Sequence, residues 1–462
     1  MQLVLVLAIL GALVVAESSP SEPVAGAGYR LGLALAGMTV VVLAAAGFSG
    51  WIAGRLRHDF QRRDVWLPRF RNLRRVHAVL WLAVAGATLY WLDWARLVRY
   101  NGHLERALLL DEIAILTPLL LPLVLSWAAF YEVDRAVWTG LAAGGAPPLR
   151  LSTRREYLMV HLRHYLGVLL LPVLGLLAVQ DTAELLAPGV LDSPYAPAIY
   201  APPIVALFVW FPSLLRHVWK TRPLAPGPLR SRLEAAAHRA GFRAREILVW
   251  ETDGRLVNAA VAGVLPQVRY VFLTDGLLAQ LDDDEIEAVF GHEMGHVRHH
   301  HLLLRVLAMV APASLWLAAK QALPDALGRA EDWLNGPPGT QVATGLFVLG
   351  AMALYALVVF GAYSRLLEAQ ADLFGCRSLD GDGRRGSVEI YRSALEKLAA
   401  SGGIDRRRAT WQHASLARRV ELLGRFADDP AHGRRFRRRV DLLGALLVAV
   451  VVSPVAYHLL VG

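Results

Sequence analysis

Long apolar runs separated by short polar segments make up most of this chain. Runs near 30–54, 76–97, 107–130, 158–179, 199–219, 303–323, 341–363 and 441–461 are each about long enough to cross a bilayer as a helix. Residues 2–16 form a shorter run. It reads as a ninth span or a signal peptide, because Val14-Val15-Ala16 resembles a small-residue cleavage site. The basic start of a signal peptide is lacking, which favours an uncleaved first helix.

Two stretches depart from this pattern. In 221–302, Thr221 to Pro228 is a Pro/Gly linker. An amphipathic helix follows from Leu229 to Ala240, stopped by Gly241. Ile247–Trp250 and Arg269–Leu273 read as short strands, with a third over Asn258–Val264 between them. Asp282 and Glu285 then form a capping box, and Ile286, Val289, Phe290 and Val297 continue at helical spacing. In 364–440 a polar helical pattern is interrupted by a Gly/Asp-rich turn at 379–386. The pattern predicts a mainly α, polytopic helical membrane protein of about eight or nine spans, with a small α+β domain outside the bilayer. Its segments are a transmembrane bundle (1–220), a segment with short strands and the capped helix (221–302), two spans (303–363), a polar helical segment (364–440) and a last span (441–462).

Composition agrees: 55% of the 462 residues are hydrophobic and the mean hydropathy is +0.40. The net charge of +9 is unevenly spread. Arginine crowds 55–75, 150–155, 216–245 and 405–439, whereas 17–29, 180–198 and 324–340 are Arg-poor and carry acidic residues. The sets alternate along the spans. The positive-inside rule then places the N-terminus and the Arg-rich segments in the cytoplasm, as in a bacterial-type inner membrane. No nucleic-acid motif accompanies the charge, so the bilayer is its partner. The single cysteine, Cys376, excludes an internal disulfide or a Cys-rich metal site and reads as a packed residue.

The candidate chemistry lies in His292-Glu293-Met294-Gly295-His296. Residues four apart share a helical face, so both histidines can hold one Zn²⁺, and Glu293 can reach its water. Gly291 and Gly295 allow a neighbour to come close. A catalytic zinc takes three protein ligands. A third histidine six residues on is excluded by Leu302, and His299, His300 and His301 have other offsets. Asp380, in Leu379-Asp380-Gly381, sits among arginines in a polar loop, unlike an intramembrane ligand. Glu368 and Asp372 share a helical face. Glu368 can complete a His₂Glu site and Asp372 can stand behind a ligand histidine, although spacing alone does not separate this pair from ordinary solvated carboxylates.

HEMGH followed by SRLLEAQAD resembles the integral-membrane gluzincin peptidases that include the CAAX prenyl endopeptidases and the HtpX-type heat-shock proteases. The resemblance covers about residues 225–425 and is weaker over the N-terminal bundle. It implies one Zn²⁺ per chain on His292, His296 and Glu368, with Glu293 as the base and Asp372 behind a ligand. Asn258-Ala259 resembles the family's substrate-binding Asn-Ala. His413 to Val420 resembles its His-Pro-Ser…Arg segment, with Ala414 where proline is usual. His413 and Arg419 are then candidate donors to the tetrahedral oxyanion. The function implied is a membrane zinc endopeptidase acting on a peptide or protein substrate. The competing reading is a metal-handling transporter or sensor with HEMGHVRHHH as a histidine-rich loop. Asp111, Glu112, His161, Arg163 and His164 lie near span ends, where an interfacial role suffices.

Overall fold

The computed structural model describes residues 2–461 apart from 105–106, 144–152, 194, 255, 324, 326–327, 329–346, 349, 381–385 and 402–413. The chain divides into two compact units between Lys220 and Thr221.

The first unit is helical: α1 (Gln2–Glu17), α2 (Ala27–His58), α3 (Arg63–Tyr90), α4 (Thr117–Ala143), α5 (Arg154–Leu186) and α6 (Ala196–Val218). Ala34, Met38, Val41, Ala45 and Ile52 recur at helical spacing along α2 and are buried. So are Pro122, Ser126, Phe130 and Val133 on α4, giving each helix one inward stripe. Two buried side chains here find backbone partners: Trp81 donates to the Leu119 carbonyl at 2.8 Å, and His77 meets the Val41 carbonyl at 3.1 Å. Asp111 and Glu112 are buried beside Arg99, whose guanidinium is 2.7 Å from Asp111.

In the second unit, four strands form one sheet in the order β1-β2-β4-β3. They are β1 (Thr221–Pro223), β2 (Glu246–Trp250), β3 (Ala259–Ala262) and β4 (Tyr270–Thr274). β2 and β4 are parallel; β1 and β3 run antiparallel to their neighbours. The linker expected from 221 therefore begins as a strand, Thr221 pairing with Trp250. Proline tolerates this place because β1 lies at the sheet edge. The helices are α7 (Pro228–Arg239), α8 (Asp283–Arg298), α9 (His301–Ala322), α10 (Gly361–Asp380), α11 (Ser387–Ser401), α12 (Leu416–Asp428) and α13 (Pro430–Val461). Leu233 of α7, Val249, Val271 and Leu273 of the sheet, and Ile286, Phe290 and Met294 of α8 make one core.

Among the described residues, five helices are long and apolar enough to cross a membrane: Ala27–His58, Arg154–Leu186, Ala198–Val218, His301–Ala322 and Gly350–Leu379. The pair Phe60–Tyr90 and Trp94–Asn101, bent by 59°, makes a sixth if it is one span. Helices also run through the other three runs. However, α4 carries Glu132, Asp134 and Arg135, the first turns of α13 are Arg-rich, and α1 is short. The boundary drawn between 363 and 364 is not a break. Helix continues from 350 through Asp380, so Glu368 lies on the extension of a span. The turn expected over 379–386 falls partly outside the described residues, and Leu379 and Asp380 still belong to α10.

Candidate metal centre

The capping box that starts α8 is formed: Glu285 N–H donates to Asp282 at 2.9 Å and Asp282 N–H to Glu285 at 3.0 Å. Glu285 also receives Ser393 and Lys397 of α11, each at 2.6 Å. Glu287, fully buried, is held by Arg232 and Arg239 of α7. These ties fix the rotation of α8, and with it the face that carries His292, Glu293 and His296.

Glycines set how near α10 comes to that face. A Cβ on Gly295 would lie 3.1 Å from the Ala371 Cα and the Phe374 Cβ. One on Gly375 would lie 3.0 Å from the Ala288 carbonyl oxygen and the His292 nitrogen. Backbone atoms cannot yield as a side-chain tip can, so the contact requires hydrogen at these positions. The approach brings Glu368 to the histidines. His292 Nε2 and His296 Nε2 are 3.1 Å apart; Glu368 oxygens lie 3.6 Å from the first and 3.5 Å from the second. Bonds of about 2.0–2.1 Å around a tetrahedral zinc place ligand atoms about 3.3 Å from each other, so this donor set fits the ion. Arg305 of α9 donates to Glu368 at 2.5 Å.

Behind His292 is a polar cluster. Asp372 lies 2.9 Å from His292 Nδ1, and the Tyr391 hydroxyl donates to Asp372 at 2.7 Å. Arg419 grips Asp372 with two bonds, 2.8 and 2.6 Å. Burial opposes charge on His292, but the hydrogen bond and charge of Asp372 outweigh it and raise the pKa. Burial pushes the Tyr391 hydroxyl well up, aided by the charge of Asp372. Burial also raises the Glu293 carboxyl to about 7, with the charge of His292 opposing and that of Glu368 adding. Glu293 accepts the Val261 N–H of β3 at 3.2 Å. Among the described residues β3 bonds only β4 within the sheet, so this N–H points out of the ladder toward the site.

The structure thus gathers His292, Glu293, His296, Glu368 and Asp372. Arg419 needs correction: its guanidinium is bound to the Asp372 carboxylate, behind His292, rather than free to meet an oxyanion. Asn258 is exposed where the chain enters β3, its N–H and carbonyl held by Thr274; Ala259 begins the strand and is buried. His413 lies outside the described residues. Asp380 is twelve residues beyond Glu368 on the same helix (380 − 368), about 18 Å along its axis, so it is no partner of the histidines. Tyr391, Arg305 and His301 are contributions that motif reading missed.

Residues 223–423 match the family model described as Peptidase family M48. The matched segment, somewhat under half of the chain, is therefore similar to the M48 peptidases. Among curated relatives, a "Protease HtpX homolog" of Aeropyrum pernix is 28% identical over 172 residues, covering 37% of this chain and 53% of the relative. One of Thermoplasma acidophilum is 27% identical over 208 residues, 43% of this chain and 60% of the relative. The chain therefore spans little more than half the length of these two relatives. The crystal structure of S. mikatae Ste24p aligns over 84% of this chain and 99% of its own at 16% identity, with a TM-score of 0.44.

Proposed function

We propose that this protein is a membrane-embedded zinc metalloendopeptidase holding one Zn²⁺ on His292, His296 and Glu368. The observation that carries the reading is the placement of Glu293 between that donor set and the outward edge of β3. A zinc ion there would supply a Lewis acid and an acidified water. Glu293 is the proton carrier: its carboxylate takes a proton from the attacking water and returns it to the leaving amine. Its partial burial limits access of competing solvent. The outward edge of β3, with Asn258-Ala259 at its start, receives an extended substrate segment by strand addition. Asp372, held by Tyr391 and Arg419, keeps the His292 ring oriented. The substrates are membrane-associated or misfolded proteins, and the site faces the cytoplasm. A metal carrier would have no use for an acid–base group beside a strand edge.

The test is cleavage of an unfolded protein such as casein by the purified full-length chain in detergent. Cleavage should stop with a chelator and return with one equivalent of zinc. Zinc binding without any cleavage would favour the metal-handling alternative.

A further inference from the structure

The two ligand histidines are backed differently. His292 meets the Asp372 carboxylate directly. His296 Nδ1 instead faces His301 Nδ1 at 2.8 Å; His301 Nε2 lies 3.1 Å from Gln370 Oε1, and Gln370 Nε2 lies 3.0 Å from Asp441 Oδ1. His301 is fully buried, and Gln370 nearly so.

Donor and acceptor chemistry gives this chain one direction. A neutral imidazole has one N–H and one bare nitrogen. His296 must present a bare Nε2 to ligate, so its proton sits on Nδ1 and is donated to His301 Nδ1. His301 then carries its own proton on Nε2 and donates it to the Gln370 oxygen. The Gln370 amide donates to Asp441, and a carboxylate only accepts. Reversing any link would set two donors or two acceptors against each other. We infer that Asp441, through Gln370 and His301, fixes the metal-binding tautomer of His296, so that α13, beyond the family-matched residues 223–423, is part of the metal centre. His301, Gln370 and Asp441 are positioning residues; none touches substrate. The inference rests on the metal-centre reading above.

The experiment is zinc affinity, measured by competition with a chromophoric chelator on full-length protein in detergent. His301→Phe should raise the zinc Kd by about 10- to 100-fold. His301→Gln, which keeps an acceptor and a donor, should recover much of the loss. Asp441→Leu should also weaken binding, and the double variant His301→Phe/Asp441→Leu should bind no more weakly than His301→Phe alone, because the chain is already cut. Should His301→Phe not fold, Gln370→Met with Asp441→Leu makes the same comparison. A wild-type Kd in Asp441→Leu, additive losses in the double variant, or no recovery with glutamine overturns the relay. Failure of the wild-type chain to bind zinc sinks the metal centre itself and the relay with it.

Discussion

Asp372 shows how much one residue's role depends on what surrounds it. It is buried and meets His292, Tyr391 and Arg419 together. A buried carboxylate with this duty needs its counter-charge, and Arg419 supplies it with two bonds. Arg419→Leu should therefore cost about 3 kcal/mol of stability, read as a lower thermal midpoint, and should weaken zinc binding. An oxyanion donor at this position would instead lower kcat and leave both readouts unchanged. The ligands were legible in sequence because i, i+4 spacing is a property of the helix alone. Arg419's true partner was not, since 47 residues separate it from Asp372 (419 − 372) and only the fold joins them. The same holds for His301: its offset excluded it as a ligand, and nothing local announces that it stands behind one.

At the scale of elements, the site exists because α8 and α10 approach at Gly291, Gly295, Ala371 and Gly375. The small residues were readable as permission for close packing; the partner helix was not. Gly375→Ala should push α10 from α8, since the new methyl meets backbone at 3.0 Å on the α8 side. Purified Gly375→Ala protein should hold well under one zinc per chain by elemental analysis. Strands β2, β3 and β4 were visible as short apolar and β-branched runs between turn signals, whereas β1 was hidden by its proline. The helix carrying Glu368 was expected to begin at 364 because polarity rises there. Its hydrogen bonding in fact continues from the span, and polarity alone does not end a helix.

For the whole molecule, the alternation of Arg-rich and acidic segments predicts the orientation, and the single cysteine makes it measurable. In a Cys376→Ala background, Ala279→Cys, at an exposed position near α8, should react only with a membrane-permeant thiol reagent in intact cells. Ser21→Cys, exposed in the segment after α1, should react with an impermeant one. The opposite labelling would invert the topology. The class of fold was plain from hydropathy, but the number of crossings was not, because α4 and α13 mix apolar faces with charge. One partly buried glutamate would turn a metal site into a peptidase, and purified Glu293→Gln protein, assayed for zinc content and casein cleavage together, tests this most directly. One zinc per chain and no cleavage above background is the expected result; one zinc per chain with wild-type cleavage would contradict a role for Glu293 as the base.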